Sequence, residues 1–387
     1  MDFLRNVSSA IALRCPPPLR KQNNLNAINL SDIPEVQEVK LLATGGYNSV
    51  WLVKLHQPFK ATHPTEKSLT FRNDLHNSNS FTQSEDTGSP VDRFILRLPI
   101  EDALLPNQVE NDVAFKKFVA TKLPHIPVPK VYLYHATRQP ETSFIVEEYI
   151  DCPPLSSTWM SLTPTEKDNV AQKLAAILVD LSEVSFDKIG GLNPVDFSLA
   201  PTVEGCKLFK GRGKFHRTDC YPIGPYKTTK EYILSTYERE IHYYSHATDD
   251  IDSSLFDDVS VQEFVEELRK KQEDLADANI VDEPFVLVHG DFHGRNILAR
   301  GDQITAVIDW EFAGSYPLSE ALSGGDVDVI DPDTEELDEE NTKWGLKIRQ
   351  YIQHEVTKRN WDQNRVDLFM GDGDPELGEA RVEMFPL

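Results

Sequence analysis

The sequence predicts an α+β fold in which a small antiparallel sheet with one helix is followed by a larger, mainly helical region. Residues 32–150 contain five β-rich runs and a single helical segment, as expected for a small α+β unit. From residue 151 the periodicity is helical until three short strands follow near residue 285. We therefore predict two regions, 32–150 and 151–387, behind a disordered tail at 1–31.

Two β-rich runs at 39–44 and 49–55 open the first region. They flank the turn-forming cluster Gly45-Gly46-Tyr47-Asn48 and so predict a hairpin. Residues 56–92 are polar and aperiodic, which predicts a long mobile insertion rather than a domain. The remaining elements predicted in this region are a strand at 93–99, a helix at 107–123 and strands at 130–135 and 143–150.

A capping box, Thr163-Pro-Thr-Glu166, predicts the start of a long helix in the second region. Behind it, apolar residues with helical spacing predict a buried face: Val170, Leu174, Ile177, Leu178 and Leu181. The other predicted elements are helices at 227–244, 261–276 and 342–357 and strands at 285–289, 296–299 and 304–310. Residues 326–340 contain nine acids and no base, so we predict a flexible, solvated segment there.

Charge and composition argue against several classes of protein. The chain has 387 residues and a net charge of −24, which disfavours binding to nucleic acid through a basic surface. No apolar run reaches the roughly 20 residues that span a bilayer, so we expect no membrane insertion. Four well-separated cysteines predict free thiols in a reducing compartment, and hence a cytoplasmic protein. The basic N-terminus leaves a mitochondrial presequence as the alternative.

The most informative stretch is 285–314, FVLVHGDFHGRNILARGDQITAVIDWEFAG. Asp291 follows one apolar strand, Asn296 opens the next, and Asp309 ends the third. Because these positions lie at the ends of short strands and turns, one amide and two carboxylates can converge on a single point.

This set of side chains suits phosphoryl transfer. Mg²⁺ neutralises charge on the phosphoryl oxygens and prefers a few hard oxygen ligands. Asp309 and Asn296 can supply such oxygens, while Asp291 can orient an acceptor hydroxyl and take its proton. The spacing H-x-D-x-x-x-x-N, followed by a strand and an Asp, is typical of a kinase catalytic loop.

The motifs resemble the aminoglycoside phosphotransferase / choline kinase-like family. His289-Gly-Asp-Phe-His-Gly-Arg-Asn296-Ile-Leu resembles the family's H-G-D-x-x-x-x-N-I-L, and Ile308-Asp-Trp-Glu311 resembles its I-D-W-E/D. The resemblance implies a two-lobed protein-kinase-like fold. It also implies transfer of the γ-phosphate of ATP, with Mg²⁺, to a hydroxyl of a small and possibly cationic molecule.

The same resemblance implies roles for residues upstream. Gly45, Gly46 and Ser49 lie where a phosphate-covering loop belongs, and Arg97 occupies the third-strand position where the family usually has Lys. Glu110 on the following helix is then the expected partner of Arg97, and the backbone near Glu148 and Tyr149 is expected to bind adenine. The simpler alternative for Gly45 and Gly46 is an ordinary hairpin turn. For Arg97 and Glu110 it is an Arg at the edge of a strand and a Glu on the surface.

The sequence predicts the acceptor-binding residues less specifically than the catalytic loop. Glu311, Asp282 and Glu320 are candidate contacts for a cationic acceptor, and Glu311 is equally suited to bracing the loop. The rival function is a catalytically inactive kinase-like protein that binds nucleotide or acts as a scaffold. A binuclear metallophosphatase also has a G-D-x-H-G motif, but its further metal-binding motifs are missing downstream of Gly294.

Overall fold

A computed structural model of the chain shows two compact units. The structure describes residues 36–59, 90–100, 103–197, 215–217, 219–247, 251, 256, 259–322 and 327–371. Within these ranges, the first unit comprises 36–118, 129–151 and 193–197, and the second comprises the rest. The predicted tail at 1–31 lies outside the described residues.

The first unit contains a five-stranded antiparallel sheet with the strand order β1-β2-β3-β5-β4. Its elements are β1 (Val36–Thr44), β2 (Asn48–Phe59), β3 (Val91–Pro99), helix α1 (Asn107–Lys122), β4 (Val131–His135) and β5 (Phe144–Glu148). The predicted antiparallel sheet with one helix is therefore confirmed. Strand β2 extends to Phe59 and β3 begins at Val91, so both ends of the predicted 56–92 insertion are strand; residues 60–89 lie outside the described ranges.

Apolar residues at alternating positions are buried on both faces of this sheet. Trp51, Val53, Phe94 and Leu96 are buried together in one hydrophobic cluster, as the two-residue period of a strand requires. Helix α1 covers the sheet through Val109 and Val113, which pack against Ile145 of β5 in a second cluster.

The second unit is mainly helical. It contains α2 (Leu155–Thr158), α3 (Pro164–Ser182), α4 (Thr229–His246), α5 (Val261–Asp277), α6 (Glu335–Lys358) and α7 (Gln363–Met370). Thr163 and Glu166 form the predicted capping box at the start of α3, and the predicted apolar stripe behind it is buried. No helix within the described residues is both long and apolar enough to cross a membrane.

Short strands place the informative sequence motif within this unit. Strand β7 (Phe285–Val288) is buried between β6 (Ser185–Phe186) and β10 (Gly314–Pro317) in a three-stranded sheet. Strands β8 (Ile297–Arg300) and β9 (Gln303–Val307) form a separate hairpin in which Ile297 pairs with Val307. The ends of β7, β8 and β9 therefore carry the three predicted functional residues.

The prediction of a flexible, solvated segment at 326–340 is wrong for the described residues 327–340. Val327, Val329 and Ile330 are buried, and α6 begins at Glu335 rather than at residue 342. The Thr334 side chain caps this helix by accepting a hydrogen bond from Leu337 N. The acids in the first turn of α6 stabilise the helix because they lie near its positive N-terminal end. The three buried apolar side chains stabilise the segment before it, and a prediction based on its many acids does not take them into account.

Candidate active site

The loop after β7 orients Asp291 through Asn296. The side-chain Nδ2 of Asn296 donates hydrogen bonds of 2.9 Å both to the backbone carbonyl and to Oδ2 of Asp291. Asn296 is buried and ends a short 3₁₀ turn, Gly294–Asn296. Its remaining side-chain atom, Oδ1, is an oxygen that could bind a cation.

Asp309 follows β9 in an unusual backbone conformation. Its φ is 66°, one of two non-glycine positive φ values among the described residues, and this region costs an ordinary residue on the order of 1–2 kcal/mol. The neighbouring Ile308 N donates to the Asn296 carbonyl at 2.9 Å, which joins the Asp309 segment to the loop that carries Asp291. A strained backbone at an acidic residue supports a functional role for it.

His289 braces these segments from inside the unit. Its Nε2 lies 3.1 Å from the Ile308 carbonyl, and its Nδ1 accepts from Asp291 N at 3.3 Å. Burial lowers the pKa of His289 to about 4, although the nearby carboxylates of Asp291 and Asp309 act to raise it. The imidazole is therefore neutral at pH 7, with the proton on Nε2, and holds both segments in place.

Gly290 is required by the geometry of this loop. Its φ is +78°, and a side chain would place a Cβ 2.3 Å from the Phe312 carbonyl oxygen. Because real Cβ atoms do not approach backbone so closely, Gly290 lets the loop pack against the chain that follows Asp309.

His293 is the second side chain that contacts Asp291. Its Nε2 lies 3.2 Å from Asp291 Oδ2, and its Nδ1 accepts a hydrogen bond from Arg295 N at 3.2 Å. His293 and Asn296 thus contact the same carboxylate oxygen of Asp291, Oδ2.

A cavity of about 320 Å³ adjoins Asp291 within the second unit. Its polar lining includes Asp291, His293, Glu320, Asp328 and Arg295, and its apolar lining includes Leu178, Leu181, Phe292 and Leu322. Three carboxylates against one guanidinium make the polar part acidic. The structure therefore brings Glu320 to the same cavity as Asp291.

Asp282 and Glu311 do not line this cavity. Asp282 Oδ1 instead accepts a hydrogen bond of 2.9 Å from Thr229 N at the start of α4. The neighbouring Glu283 is buried and accepts from both the backbone N and the hydroxyl of Ser319. Glu311 is 5% exposed, two residues after Asp309, so its position fits the bracing alternative better than direct contact with an acceptor.

In the first unit, Gly45 and Gly46 form the turn between β1 and β2. Gly45 N donates to the Asn48 carbonyl at 2.9 Å, and a side chain at Gly46 would meet no atom within 4 Å. The backbone at Gly46 is thus open to an approaching ligand. Ser49 is buried, and its hydroxyl accepts a hydrogen bond of 3.0 Å from Trp51 Nε1, so that side chain has a role in the sheet.

Arg97 lies on β3 and forms an ion pair with Asp112, not with the predicted Glu110. The Arg97 guanidinium is 3.7 Å from Asp112 Oδ2, and Lys116 completes the group by contacting Asp112 at 2.7 Å and Glu147 at 2.5 Å. We call Arg97, Asp112, Lys116 and Glu147 the buried ionic network, because all four side chains are at most 6% exposed. Burial lowers the pKa of Lys116, but Asp112 and Glu147 outweigh it and raise that pKa overall.

Glu110 faces a different environment. Burial raises the pKa of its carboxyl group, and its charge acts on Tyr134 of β4, helping to raise the pKa of that phenol. Glu110 and Asp112 are about 200° apart around a helix of 3.6 residues per turn, which explains why only one of them can reach β3.

Glu148 and Tyr149 end the β5 segment. Glu148 N donates to the Lys130 carbonyl at 2.8 Å, so that amide serves the sheet rather than a ligand. The chain leaves the sheet after Glu148, and the Tyr149 ring lies against the Arg93 guanidinium at 5.1 Å. Of the predicted adenine contacts, the backbone of Tyr149 is the better candidate.

The side chains of Asn296 and Asp309 carry oxygen atoms of the kind that Mg²⁺ accepts as ligands. Among the described residues there is no group of three or more His, Cys, Asp or Glu side chains that could hold a metal ion. Mg²⁺ often takes only one or two protein ligands, with water and substrate phosphates completing its shell. An amide oxygen and a carboxylate are ligand types that such a partial site uses.

A family model described as "Phosphotransferase enzyme family" matches residues 69–323, which is more than half of the chain. The chain belongs to this family. A comparison with curated protein sequences gives no match. The matched region contains the loop from His289 to Asn296 and most of the cavity lining, whereas β1, β2 and the lining residues Val327 and Asp328 lie outside it.

Several solved aminoglycoside phosphotransferases resemble this phosphotransferase-family chain at a distance. The gentamicin complex of APH(2")-IIa has a TM-score of 0.48 and 15% identity, covering 89% of this chain and 84% of that one. A ternary complex of a thermostable APH(4)-Ia mutant with AMP-PNP and hygromycin B has a TM-score of 0.45 and 15% identity, covering 91% and 93%. The family membership rests on the sequence match and not on these distant similarities.

Three residues near Arg97 or Asp291 lie outside the sequence-based site prediction: Asp112 and Lys116 of the buried ionic network, and Asp328 of the cavity. Asp112 and Lys116 are spaced four residues apart beside the inward-facing Val109 and Val113, which is a detectable signal for a buried ion pair. Asp328 carries no such local signal, because the acidic block around it masks the buried Val327 and Val329.

Proposed function

We propose that this protein is an ATP- and Mg²⁺-dependent phosphotransferase that transfers the γ-phosphate of ATP to a hydroxyl of a small molecule. The observation that carries the proposal is the placement of Asp291 by Asn296, through two hydrogen bonds of 2.9 Å. Phosphoryl transfer needs mainly positioning and charge stabilisation, and a fixed carboxylate beside an oxygen-rich cation site provides both.

Asp291 is the proposed catalytic residue. One of its carboxylate oxygens would accept a hydrogen bond from the acceptor hydroxyl and then its proton. The acceptor oxygen forms a bond to the γ-phosphorus, and the bond from that phosphorus to the bridging oxygen of ADP breaks. His293 and Asn296 hold Asp291 during this step, and neutral His289 holds the loop beneath it.

Asn296 and Asp309 are the proposed Mg²⁺ ligands. When bound, Mg²⁺ would neutralise negative charge on the phosphate oxygens. This chain would contribute the two oxygens from segments that are joined by the backbone hydrogen bond between Ile308 and Asn296.

The first unit supplies the proposed nucleotide contacts. The turn at Gly45 and Gly46, with its open backbone at Gly46, would approach phosphate oxygens, and the backbone at Tyr149 would approach adenine. Arg97 would bind phosphate in the place of the Lys that the family resemblance implies, held in orientation by Asp112. Arg is permanently charged and offers several donors, so it can serve this role.

The acceptor would enter the cavity beside Asp291. Glu320 and Asp328 give that cavity an acidic polar lining, while Leu178, Leu181 and Leu322 supply apolar contact. A small hydroxylated amine with an apolar portion fits this chemistry.

An inactive nucleotide-binding protein is the second candidate, favoured by one observation. Arg97 is only 5% exposed and is ion-paired, so its charge is partly used within the fold. Screening the purified protein against hydroxylated amines for ADP and phosphorylated product separates the two functions. We expect acceptor-dependent product with the wild type and none with Asp291→Asn. MgATP binding without product across the panel would favour the inactive protein.

A further inference from the structure

A buried asparagine on α6 holds the segment that supports the catalytic loop. Asn341 is 5% exposed, and its Oδ1 accepts hydrogen bonds from Val329 N at 3.0 Å and Ile330 N at 3.1 Å. Its Nδ2 donates to the Ile330 carbonyl at 2.7 Å. One side chain therefore satisfies three backbone groups of residues 327–331, which we call the support segment.

The support segment in turn contacts the loop that follows Asp291. Gly294 N donates to the Asp328 carbonyl at 2.7 Å. The two backbones are so close that a Cβ on Gly294 would lie 2.2 Å from the Val329 carbonyl oxygen. The Arg295 guanidinium adds an ion pair of 3.2 Å to Asp331, although both groups are exposed and such pairs contribute little.

These contacts form a continuous path to Asp291. Gly294 begins the 3₁₀ turn that ends at Asn296, and Asn296 N donates to the His293 carbonyl at 2.9 Å. The Asn296 side chain then holds Asp291. A displacement of the support segment would move Gly294, and with it the amide that orients Asp291.

We propose that Asn341 is a positioning residue for phosphoryl transfer, acting through the support segment on Gly294 and Asn296. The proposal rests on the proposed function for its chemical consequence, but the mechanical link does not depend on ATP. Buried side chains that orient a metal ligand commonly change metal affinity by about 10–100-fold when they are replaced.

The test compares Asn341→Leu with Glu340→Gln. Leu has the same branching and number of side-chain heavy atoms as Asn but makes no hydrogen bond. Glu340 is the adjacent residue and contacts Trp159 and Lys167 instead of the support segment. Hydrogen exchange is measured at the Gly294 and Asn296 amides, at denaturant concentrations that equalise the global stability of the two variants. We expect exchange at both amides to be at least about 10-fold faster in Asn341→Leu.

A second readout uses Mn²⁺ in place of Mg²⁺, with MnATP affinity measured by electron paramagnetic resonance. Asn341→Leu should weaken MnATP binding by about 10-fold, and Glu340→Gln should not. Asn341→Asp keeps the two acceptor contacts and loses the donor contact, so it should recover part of both effects. If Asn341→Leu fails to fold, Asn341→Asp is compared with Glu340→Gln in its place.

Faster exchange confined to residues 327–331, with Gly294 and Asn296 protected as in the control, would overturn the positioning role. An equal loss of MnATP affinity in Glu340→Gln would also overturn it, because the effect would then be general to α6. If wild-type protein bound no MnATP, the proposed function would fail, and the exchange comparison would still decide the link from Asn341 to the loop.

Discussion

Asp112 and Lys116 lie one turn apart on α1, and both charges are removed from water. They are balanced by Arg97 and Glu147, so the buried ionic network holds two cations and two anions. Removing one partner of such a network leaves an uncompensated buried charge, and that is far costlier than losing an exposed ion pair. At the scale of single residues, the first unit therefore depends more on Asp112 than on Glu110.

Exchanging each acid for its amide separates these two residues. Asp112→Asn should lower the free energy of unfolding by about 3–5 kcal/mol, because Arg97 and Lys116 then share a single carboxylate. Glu110→Gln should leave stability unchanged or raise it slightly at pH 7. Burial raises the pKa of Glu110, so its ionised form is disfavoured by folding and its neutral form is not. Urea unfolding of both variants measures the difference.

The stability difference between wild type and Glu110→Gln should change with pH in a definite direction. The wild type should lose its disadvantage relative to Glu110→Gln as the pH falls through the raised pKa of Glu110, because the carboxyl group then becomes neutral. A larger destabilisation from Glu110→Gln than from Asp112→Asn would mean that the network is assigned to the wrong acid.

At the scale of elements, the Glu340 carboxylate is one of the groups that attach α6 to the residues before it. Glu340 accepts hydrogen bonds from Trp159 Nε1 at 3.2 Å and from Trp344 Nε1 at 2.9 Å, and it contacts Lys167. Burial acts to raise the pKa of Glu340, but bonds from Lys167, Lys343 and Trp344 lower it to about 2. Glu340 therefore attaches α6 to Trp159 and Lys167, whereas the next residue, Asn341, makes the contacts with the support segment.

Glu340→Gln should lower the free energy of unfolding by about 1–3 kcal/mol at pH 7. The contribution of Glu340 is fully present above its unfolded pKa of about 4.5 and is lost as the pH falls toward 2, because protonation removes the charge that Lys167 recognises. The stability difference between wild type and variant should therefore shrink as the pH falls from about 4.5 toward 2.

Lys343 provides the control for that measurement. It also contacts Glu340, but it is 67% exposed, so Lys343→Met should change stability by less than about 0.5 kcal/mol. A difference between wild type and Glu340→Gln that stayed constant down to pH 3 would show that the carboxylate charge is not what holds α6.

At the scale of the whole molecule, the features that could be predicted from the sequence are those formed by residues close together in the chain. The loop from His289 to Asn296 and the strand before Asp309 are contiguous, so spacing alone placed the candidate catalytic set. The contacts of residues 327–331 with Gly294 and Asn341 are long-range, and nine acids concealed their three buried apolar residues. The partner of Arg97 was mispredicted for a related reason, since the rotation of α1 about its axis depends on packing against the sheet.

The β2–β3 pairing suggests that the intervening insertion is dispensable for folding. Register runs from Asn48 opposite Pro99 to Lys54 opposite Arg93, so the hairpin is complete without residues 60–89. Replacing 60–89 by a short turn should preserve the fold and the affinity for MgATP. Each twofold change in loop length changes the free-energy cost of closing the loop by only about 0.6 kcal/mol. A substantial loss of MgATP affinity, measured by calorimetry, would assign that insertion a direct part in nucleotide binding.

The central claim is that Asp291 acts on the acceptor and Asp309 on the cation. Calorimetric titration of MgATP tests it most directly. Asp291→Asn should bind MgATP about as well as wild type while losing about 10²–10⁴-fold in transfer rate, since its role is toward the acceptor. Asp309→Ala should bind MgATP more weakly than Asp291→Asn and require more Mg²⁺, since its role is toward the cation. Equal MgATP affinities for the two variants would contradict the account.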